Sequence, residues 1–131
     1  MRVIDSSVLV KYFSRESGWE EAERIILEGV VTLDLAVKEL VNALRKKVLK
    51  SEMSYEIAVK IIRDLVESKP FPVKSQELYL VEAFEIALRN NITVYDALFI
   101  AMAKRKNLEL ATCDEEQAKT ARKEGLRAML L

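Results

Sequence analysis

Acidic side chains at two points of one segment are the first candidates for chemistry. Residues 91–116 show the pattern of a loop, a helix, a turn, a short apolar strand and a second loop, with Asp96 at the helix start and Asp114 just past the strand. The helix from Asp96 to Lys106 advances about 15 Å, and the strand at 108–112 returns a similar distance. We therefore expect both aspartates at one edge of the fold, although helix capping alone would explain each of them.

Further acids reach the same edge if the fold contains a parallel sheet. Asp5 follows the first apolar strand, Asp34 follows the second, and Glu39 lies about one and a half helical turns beyond Asp34. Residues just past the carboxyl ends of parallel strands converge on one edge, where such folds place their sites. Because helix capping fully explains Asp34, the predicted site contains Asp5, Glu39, Asp96 and Asp114.

A cluster of this kind favours a divalent metal ion. Two carboxylates about 5 Å apart repel each other by roughly 3 kcal/mol at an effective dielectric constant near 20. A cation relieves that repulsion, and a ligand set made only of oxygen atoms selects Mg²⁺ or Mn²⁺ rather than zinc. Such an ion activates water and neutralises the charge of a phosphoryl transition state.

The composition excludes several other kinds of chemistry. The 131-residue chain contains no histidine and a single cysteine, Cys113. Ser-His-Asp and Cys-His catalysis, the usual zinc ligand sets and an intrachain disulfide are therefore excluded. The three glycines lie far apart, so a glycine-rich phosphate loop is also absent. Basic and acidic residues number 21 each, and a net charge of zero gives no overall field that attracts nucleic acid.

The elements that position these acids alternate between strand and helix. Strands are predicted at residues 1–4, 30–33, 71–73, 108–112 and 128–131, and helices at 6–13, 18–28, 35–50, 54–69, 76–89, 93–106 and 115–124. This alternation predicts a three-layer α/β/α sandwich with a mainly parallel sheet of four to five strands, with residues 1–131 as a single domain. Val3 and Val31 are expected in its core.

Apolar stripes mark the faces of the middle helices. Residues 57–66 form a broad stripe, and in the helix at 76–89 the side chains of Leu78, Phe84, Ala87 and Leu88 are predicted to face inward. A domain of this size is not expected to bury every residue of both stripes together with Trp19, Tyr12 and Phe13. Apolar patches that stay exposed usually mark partner surfaces.

Four stretches, taken in order, resemble the PIN-domain family and in particular the small VapC-type toxins of prokaryotic toxin–antitoxin pairs. They are DSSVLVKYF at 5–13, the acid in LAVKELVNAL at 35–44, TVYDALFIAMA at 93–103 and ATCD at 111–114. The order, the spacing and the chain length all agree with the family, over essentially the whole chain. One departure is Ser7, which stands where many members have Asn.

The resemblance implies an endoribonuclease that depends on Mg²⁺ or Mn²⁺ and acts as the toxin of a type II pair. In the family, acids at the positions of Asp5, Glu39, Asp96 and Asp114 bind the metal and support RNA cleavage. We assign Asp5, Asp96 and Asp114 as metal ligands, and Glu39 completes the pocket and orients the attacking water. The resemblance also implies that the hydroxyls of Ser6 and Thr112 assist the site.

Partners follow from the same resemblance. VapC-type proteins dimerise and accept a partner segment in a groove, so we expect a homodimer that binds a cognate small antitoxin protein. The RNA substrate is expected to be single-stranded or looped, because strands must reach a recessed acidic site. Lys11, Lys38 and Arg45 are candidates for contacts to its phosphates, although a solvated helix face explains each of them equally well.

Location and alternative functions complete the expectations. No apolar run is long enough to span a bilayer and the N-terminus lacks the regions of a signal peptide, so we expect a cytoplasmic protein with no membrane partner. A catalytically silent PIN-like binding or scaffold module is the non-enzymatic alternative. A metal-dependent phosphatase of the haloacid-dehalogenase type is another, but it needs a second Asp two residues after Asp5, where Ser7 stands.

Overall fold

A parallel sheet forms the centre of the molecule. The computed structural model describes every residue from Met1 to Leu131. Its strands are β1 (Arg2–Ile4), β2 (Val30–Leu33), β3 (Val73–Lys74), β4 (Glu109–Thr112) and β5 (Ala128–Leu130). They lie in the order β3-β2-β1-β4-β5, and every neighbouring pair is parallel. The predicted mainly parallel sheet is confirmed, and its central strand is the one that leads into Asp5.

Helices connect the strands and cover the sheet. They are α1 (Ser6–Phe13), α2 (Trp19–Glu28), α3 (Asp34–Leu49), α4 (Tyr55–Ser68), a 3-10 turn (Gln76–Tyr79), α5 (Leu80–Asn90), α6 (Val94–Lys106) and α7 (Glu115–Lys123). The three-layer α/β/α arrangement expected from the sequence is confirmed. A parallel sheet has apolar residues on both faces, and helices must cover both of them. No helix combines the length and the apolar composition needed to cross a bilayer.

Helix α6 is the most enclosed element of the fold. Its residues from Ala97 to Ala103 are all buried, and it packs against α5, β1 and β4. The hydroxyl of Thr93 accepts a hydrogen bond from the Asp96 backbone N–H at 3.2 Å, which caps the helix as the sequence predicts. A helix with apolar residues on all sides is buried in the core. The packing of α6 therefore fixes the position of Asp96 in its first turn.

The centre of the sheet is mainly apolar, and the hydroxyl of Thr32 in β2 is paired within it. Val3 and Val31 pair across β1 and β2, and both are buried as predicted. The buried Thr32 hydroxyl donates to the Ile4 carbonyl oxygen at 2.6 Å, so it carries no unpaired polar atom into the core. This bond joins β2 to the last residue of β1, directly before Asp5.

Helix α5 faces the core with a different side from the one predicted. Leu78, Phe84 and Leu88 are 56%, 56% and 69% exposed, so the prediction that they face inward is wrong, whereas it is confirmed for Ala87. The inward face is made by Tyr79, Ala83, Ile86 and Ala87. Small alanines on that face let α5 lie close to α6, and the larger side chains are left on the outer face.

The stripe at 57–66 is also only partly used by the core. Ala58 and Leu65 on α4 are buried, but Ile57 and Val66 are more than half exposed. The expectation that this fold leaves apolar side chains uncovered is therefore confirmed for α4 and α5.

Candidate active site

Asp5 is the most buried acid of the predicted site. It is the first residue after β1 and caps α1, with its carboxylate accepting from the backbone N–H groups of Ser7 at 3.1 Å and Val8 at 3.4 Å. The hydroxyls of Ser7 and Thr112 donate to the same carboxylate, the latter at 2.6 Å. Burial raises the pKa of Asp5, and these hydrogen bonds act against the rise. The site thus contains a buried carboxylate held by donors rather than by a cation.

Glu39 reaches the site from α3. Its pKa is raised, first by partial burial and then by the nearby negative charges of Asp5 and Asp96. The Ser6 hydroxyl approaches the Glu39 carboxylate and offsets part of this rise. Helix α3 therefore places Glu39 among the carboxylates that the sequence grouped with it.

Asp96 and Asp114 close the other side of the cluster. Partial burial and then the charge of Asp114 raise the pKa of Asp96. Asp114 caps α7, where its Oδ1 accepts from the backbone N–H groups of Glu116 at 2.9 Å and Gln117 at 3.2 Å. Capping is therefore a real role of Asp114, in addition to its place beside Asp96.

The cluster has no basic partner. The ten salt bridges of the structure include none of Asp5, Glu39, Asp96 or Asp114. Carboxylates that repel one another without a cation cost free energy of folding, and the cost is greatest for a buried one such as Asp5. Such a cost is typical of a site that gains its counter-charge from a ligand.

The residues suit Mg²⁺ or Mn²⁺ in donor type and charge, although their side chains are not arranged around one point. All the available donors are carboxylate and hydroxyl oxygens, which hard divalent cations prefer. No three acidic or cysteine side chains converge on one metal-sized position, and the Asp5 oxygens are occupied by hydrogen bonds. Binding a metal ion therefore requires side-chain rotation, for which the exposed Asp114 has room.

Two residues of this network were not identified from the sequence. The Ser7 hydroxyl donates to Asp5 and accepts from the Cys113 backbone N–H at 2.8 Å, which ties α1 to the end of β4. Gln117 is buried; its Nε2 donates to the main-chain oxygen of Asp96 at 3.0 Å, and its Oε1 lies 3.2 Å from Thr112 Oγ1. The available signal for Gln117 was its spacing three residues after Asp114, which is that of a capping box.

Asp34 has a role different from the predicted helix cap. Leu33 occupies the cap position of α3, and Asp34 Oδ1 accepts from the Gln76 backbone N–H at 3.0 Å. The capping explanation is therefore wrong, because this carboxylate ties the start of α3 to the 3-10 turn.

The three candidate RNA contacts lie in different surroundings. Lys38 and Arg45 are exposed two turns apart on α3 and take part in no salt bridge. Lys38 stands at the rim of a cleft of about 710 Å³ between α3, α4 and the segment 69–73. Lys11 is half-buried on α1, near Cys113.

Comparisons with known proteins agree with this architecture. The sequence-family model of the PIN domain matches residues 2–123 of this chain. The chain is 33% identical over 119 residues to Ribonuclease VapC3 of Pyrobaculum aerophilum, and the match covers 88% of this chain and 91% of that relative.

Solved structures show the same fold at lower identity. The crystal structure of PAE2754 from Pyrobaculum aerophilum is similar with a TM-score of 0.73 and 23% identity, covering 97% of this chain and 89% of that one. A second similar structure is VapBC2 from Rickettsia felis, which was solved bound to a DNA fragment from its promoter. The TM-score is 0.66 at 11% identity, and the match covers 99% of this chain and 98% of that one.

Proposed function

Because the chain belongs to the PIN-domain family, we propose that it is an Mg²⁺- or Mn²⁺-dependent endoribonuclease of the VapC type, acting through residues 1–131 as one domain. The observation that carries the proposal is the cluster of Asp5, Glu39, Asp96 and Asp114, which no basic side chain neutralises. A relative named as a ribonuclease, 33% identical over most of both chains, supports the same activity.

The proposed mechanism assigns a role to each side chain. When bound, the divalent ion supplies an activated water and positive charge at the scissile phosphate. Asp5, Asp96 and Asp114 hold that ion with carboxylate oxygens. Glu39 would orient the attacking water and accept its proton, and burial raises its pKa, which is the direction that favours a general base.

Hydroxyl groups keep these carboxylates in place. Thr112 donates to Asp5 from the end of β4, and Ser7 donates to it from α1. The Ser6 hydroxyl lowers the pKa of Glu39, against the larger rise that burial causes. Each hydroxyl favours the ionised form of its carboxylate, which is the form that binds a metal ion.

The substrate we propose is single-stranded or looped RNA. The carboxylates repel a phosphate backbone, and the chain has no net charge to attract one. Lys38 and Arg45 on the same face of α3 are the basic residues that we assign to phosphate contacts away from the cluster, and Lys11 is considered separately below. An RNA substrate places the protein in the cytoplasm as part of this proposal.

We further propose two protein partners, a second copy of the chain and a small antitoxin, as the toxin of a type II pair requires. Exposed Leu78, Phe84 and Leu88 provide apolar surface for the homodimer. The cleft between α3 and α4, with Leu65 and Phe71 in its wall and Lys38 and Lys69 at its rim, is suited to an apolar segment that carries acidic residues.

A catalytically silent PIN-like binding module is the second candidate. The observation in its favour is that no three acids converge on one metal-sized position. A scaffold module needs no metal ion, and its acids would serve only as caps and hydrogen-bond acceptors, as Asp114 does for α7.

Cleavage of a labelled RNA pool distinguishes the two candidates. Wild-type protein is incubated with EDTA, Mg²⁺ or Mn²⁺ beside Asp5→Asn, Asp96→Asn and the control Asp34→Asn. Asp34 follows a strand at the same edge, and its substitute keeps an oxygen that accepts from the Gln76 N–H. We expect metal-dependent cleavage by wild type and the control, and a loss of about 100-fold or more in the two site variants.

Several results would contradict the proposal. Cleavage that persists in EDTA, or that is equal in wild type and both site variants, refutes the metal-dependent mechanism. Absence of cleavage with every metal and every RNA supports the binding module instead.

A further inference from the structure

A pocket of about 450 Å³ opens beside the carboxylate cluster. It lies between α1, the turn that precedes α2 and the residue after β4, and its lining is made by Ser7, Val10, Lys11, Glu16, Ser17 and Cys113. Its volume falls in the range of roughly 300–1,000 Å³ that is usual for ligand sites. Ser7 belongs both to the lining of this pocket and to the hydrogen-bond network of Asp5, so the pocket adjoins the proposed catalytic site.

The pocket contains one unpaired cation. Lys11 takes part in no salt bridge, although it is half-buried. Lys11 and Cys113 both line the pocket. An ammonium group without an acidic partner is available to pair with an anionic ligand.

Gly18 provides the space in which the Lys11 side chain lies. A Cβ atom at position 18 would stand 3.0 Å from Lys11 Cε and 3.1 Å from its Nζ. The φ angle of Gly18 is +85°, which also favours glycine. The backbone of the turn between α1 and α2 therefore packs against the end of the Lys11 side chain.

Glu16 is the acid in the same lining. Its carboxylate lies 4.0 Å from Lys47 Nζ, which draws it towards α3 and away from a pairing with Lys11. An anion in the pocket would be attracted by Lys11 and repelled by Glu16. The two side chains therefore offer substitutions with effects of opposite sign.

Building on the endoribonuclease function proposed above, we propose that this pocket holds the nucleotide next to the scissile bond, with the Lys11 ammonium contacting its phosphate. The bound ion would neutralise charge at the scissile phosphate, but the neighbouring phosphate also approaches the carboxylates and needs a cation of its own. Lys11 supplies that charge within the pocket adjoining Asp5. The Ser17 hydroxyl in the same wall is a hydrogen-bond partner for the ribose or the phosphate.

Steady-state kinetics with single-stranded RNA test the phosphate contact. For Lys11→Gln we expect KM to rise by about 3- to 5-fold with kcat unchanged, and the slope of log KM against log salt to decrease by about 0.7, the value for one phosphate contact on a single strand. For Glu16→Gln we expect KM to fall. The control is Lys106→Gln, an exposed lysine at the far end of α6, which should leave both parameters unchanged. Equal KM values and equal salt slopes for all four proteins would overturn the subsite.

Alkylation of the single cysteine gives a readout that does not depend on catalysis. Cys113 lines the pocket, so N-ethylmaleimide under mildly alkaline conditions reports its occupancy. A phosphorothioate single-stranded RNA oligonucleotide with Mg²⁺ should slow the alkylation of wild type and should protect Lys11→Gln much less.

The two experiments separate this inference from the proposed function. If RNA is cleaved but never protects Cys113, the subsite is refuted and the endoribonuclease remains. If RNA protects Cys113 in a Lys11-dependent way but is not cleaved with any metal, the subsite holds and the catalytic proposal fails.

Discussion

Asp5 is a buried acid with no basic partner, and hydrogen-bond donors surround its carboxyl group. Four donors from Ser7, Val8 and Thr112 point at its carboxylate and partly offset the desolvation that raises its pKa. Glu39 and Asp96 have raised pKa values for the same first reason, burial. Donors keep these acids in place, and a divalent ion would remove the remaining cost.

The charges of the cluster reduce the stability of the metal-free protein. A carboxyl group whose pKa is raised by folding contributes stability that is complete below its unfolded pKa and is lost as pH rises through the folded value. For Asp5, Glu39 and Asp96 the pKa is raised, so this loss begins near the ordinary carboxyl pKa of about 4 and continues as pH rises above it. Near neutral pH the metal-free protein should therefore be less stable than its core alone would allow.

Replacing Glu39 by Gln tests this cost. Gln keeps the size of the side chain and an acceptor for Ser6, but it removes the repulsion from Asp5 and Asp96. Without metal at neutral pH we expect the midpoint of thermal unfolding to rise by about 2–4 °C, as about 1 kcal/mol produces in a domain of this size. RNA cleavage should fall in the same variant. A lower midpoint in metal-free buffer would show that Glu39 stabilises the fold.

Among the elements, the three C-terminal helices are tied together by one carboxylate. Glu124, at the end of α7, accepts from Arg89 and Asn90 of α5 at 2.9 and 2.8 Å and from Lys104 of α6 at 2.9 Å. Its side chain is 8% exposed, and the hydrogen bond from Arg89, the largest influence, helps lower its pKa to about 2. This network sits at the opposite ends of the helices whose starts carry Asp96 and Asp114.

The substitution Glu124→Gln should act with the opposite sign to Glu39→Gln. A carboxyl group whose pKa is depressed by folding contributes stability above its unfolded pKa and loses it as pH falls through the folded value. At neutral pH we expect a loss of about 1–3 kcal/mol, because the basic partners lose their counter-charge. The difference between variant and wild type should shrink as pH falls from about 4.5 towards about 2. Denaturant unfolding across this pH range measures it, and a constant difference would contradict the network.

Most element boundaries could be predicted because local signals agreed with the fold, although the strand predicted at 71–73 is observed at Val73–Lys74. The apolar run at 30–33 is the strand β2, and Thr93 caps α6 as its residue type suggests. The inward face of α5 could not be derived in the same way, since an apolar side chain such as Phe84 indicates burial without saying against what. A leucine destined for a partner surface and one destined for the core have the same hydrophobic signature.

For the whole molecule, exposed apolar side chains on α5 support the proposed homodimer. We expect sedimentation at tens of micromolar to give a dimer for wild type and a monomer for Phe84→Glu combined with Leu88→Glu. Both side chains are exposed, so the monomer should stay folded. Leu27→Glu on α2, at a leucine that is 79% exposed, is the matched control and should remain dimeric. A wild-type monomer at these concentrations would contradict the dimer.

The candidate site could be grouped from the sequence because the topology of a parallel sheet brings strand ends together. Asp5 and Asp114 follow β1 and β4, which are adjacent strands. The spacing of residues carried no information on the rotamers that decide metal geometry. It also did not show that Ser7 contacts Asp5, or that Gln117 contacts Asp96 and Thr112. Such contacts depend on tertiary packing between α1, β4 and α7.

The most direct test of the central claim measures bound Mn²⁺ and RNA cleavage in one titration. Free Mn²⁺, followed by electron paramagnetic resonance, gives the metal occupancy while the cleavage of a single-stranded RNA gives the rate. We expect the rate to rise in parallel with occupancy for wild type and Asp34→Asn, and both to be lost in Asp5→Asn and Asp96→Asn. Cleavage at full rate without bound Mn²⁺, or unchanged Mn²⁺ binding in both site variants, would contradict the assignment of this carboxylate cluster as the catalytic metal site.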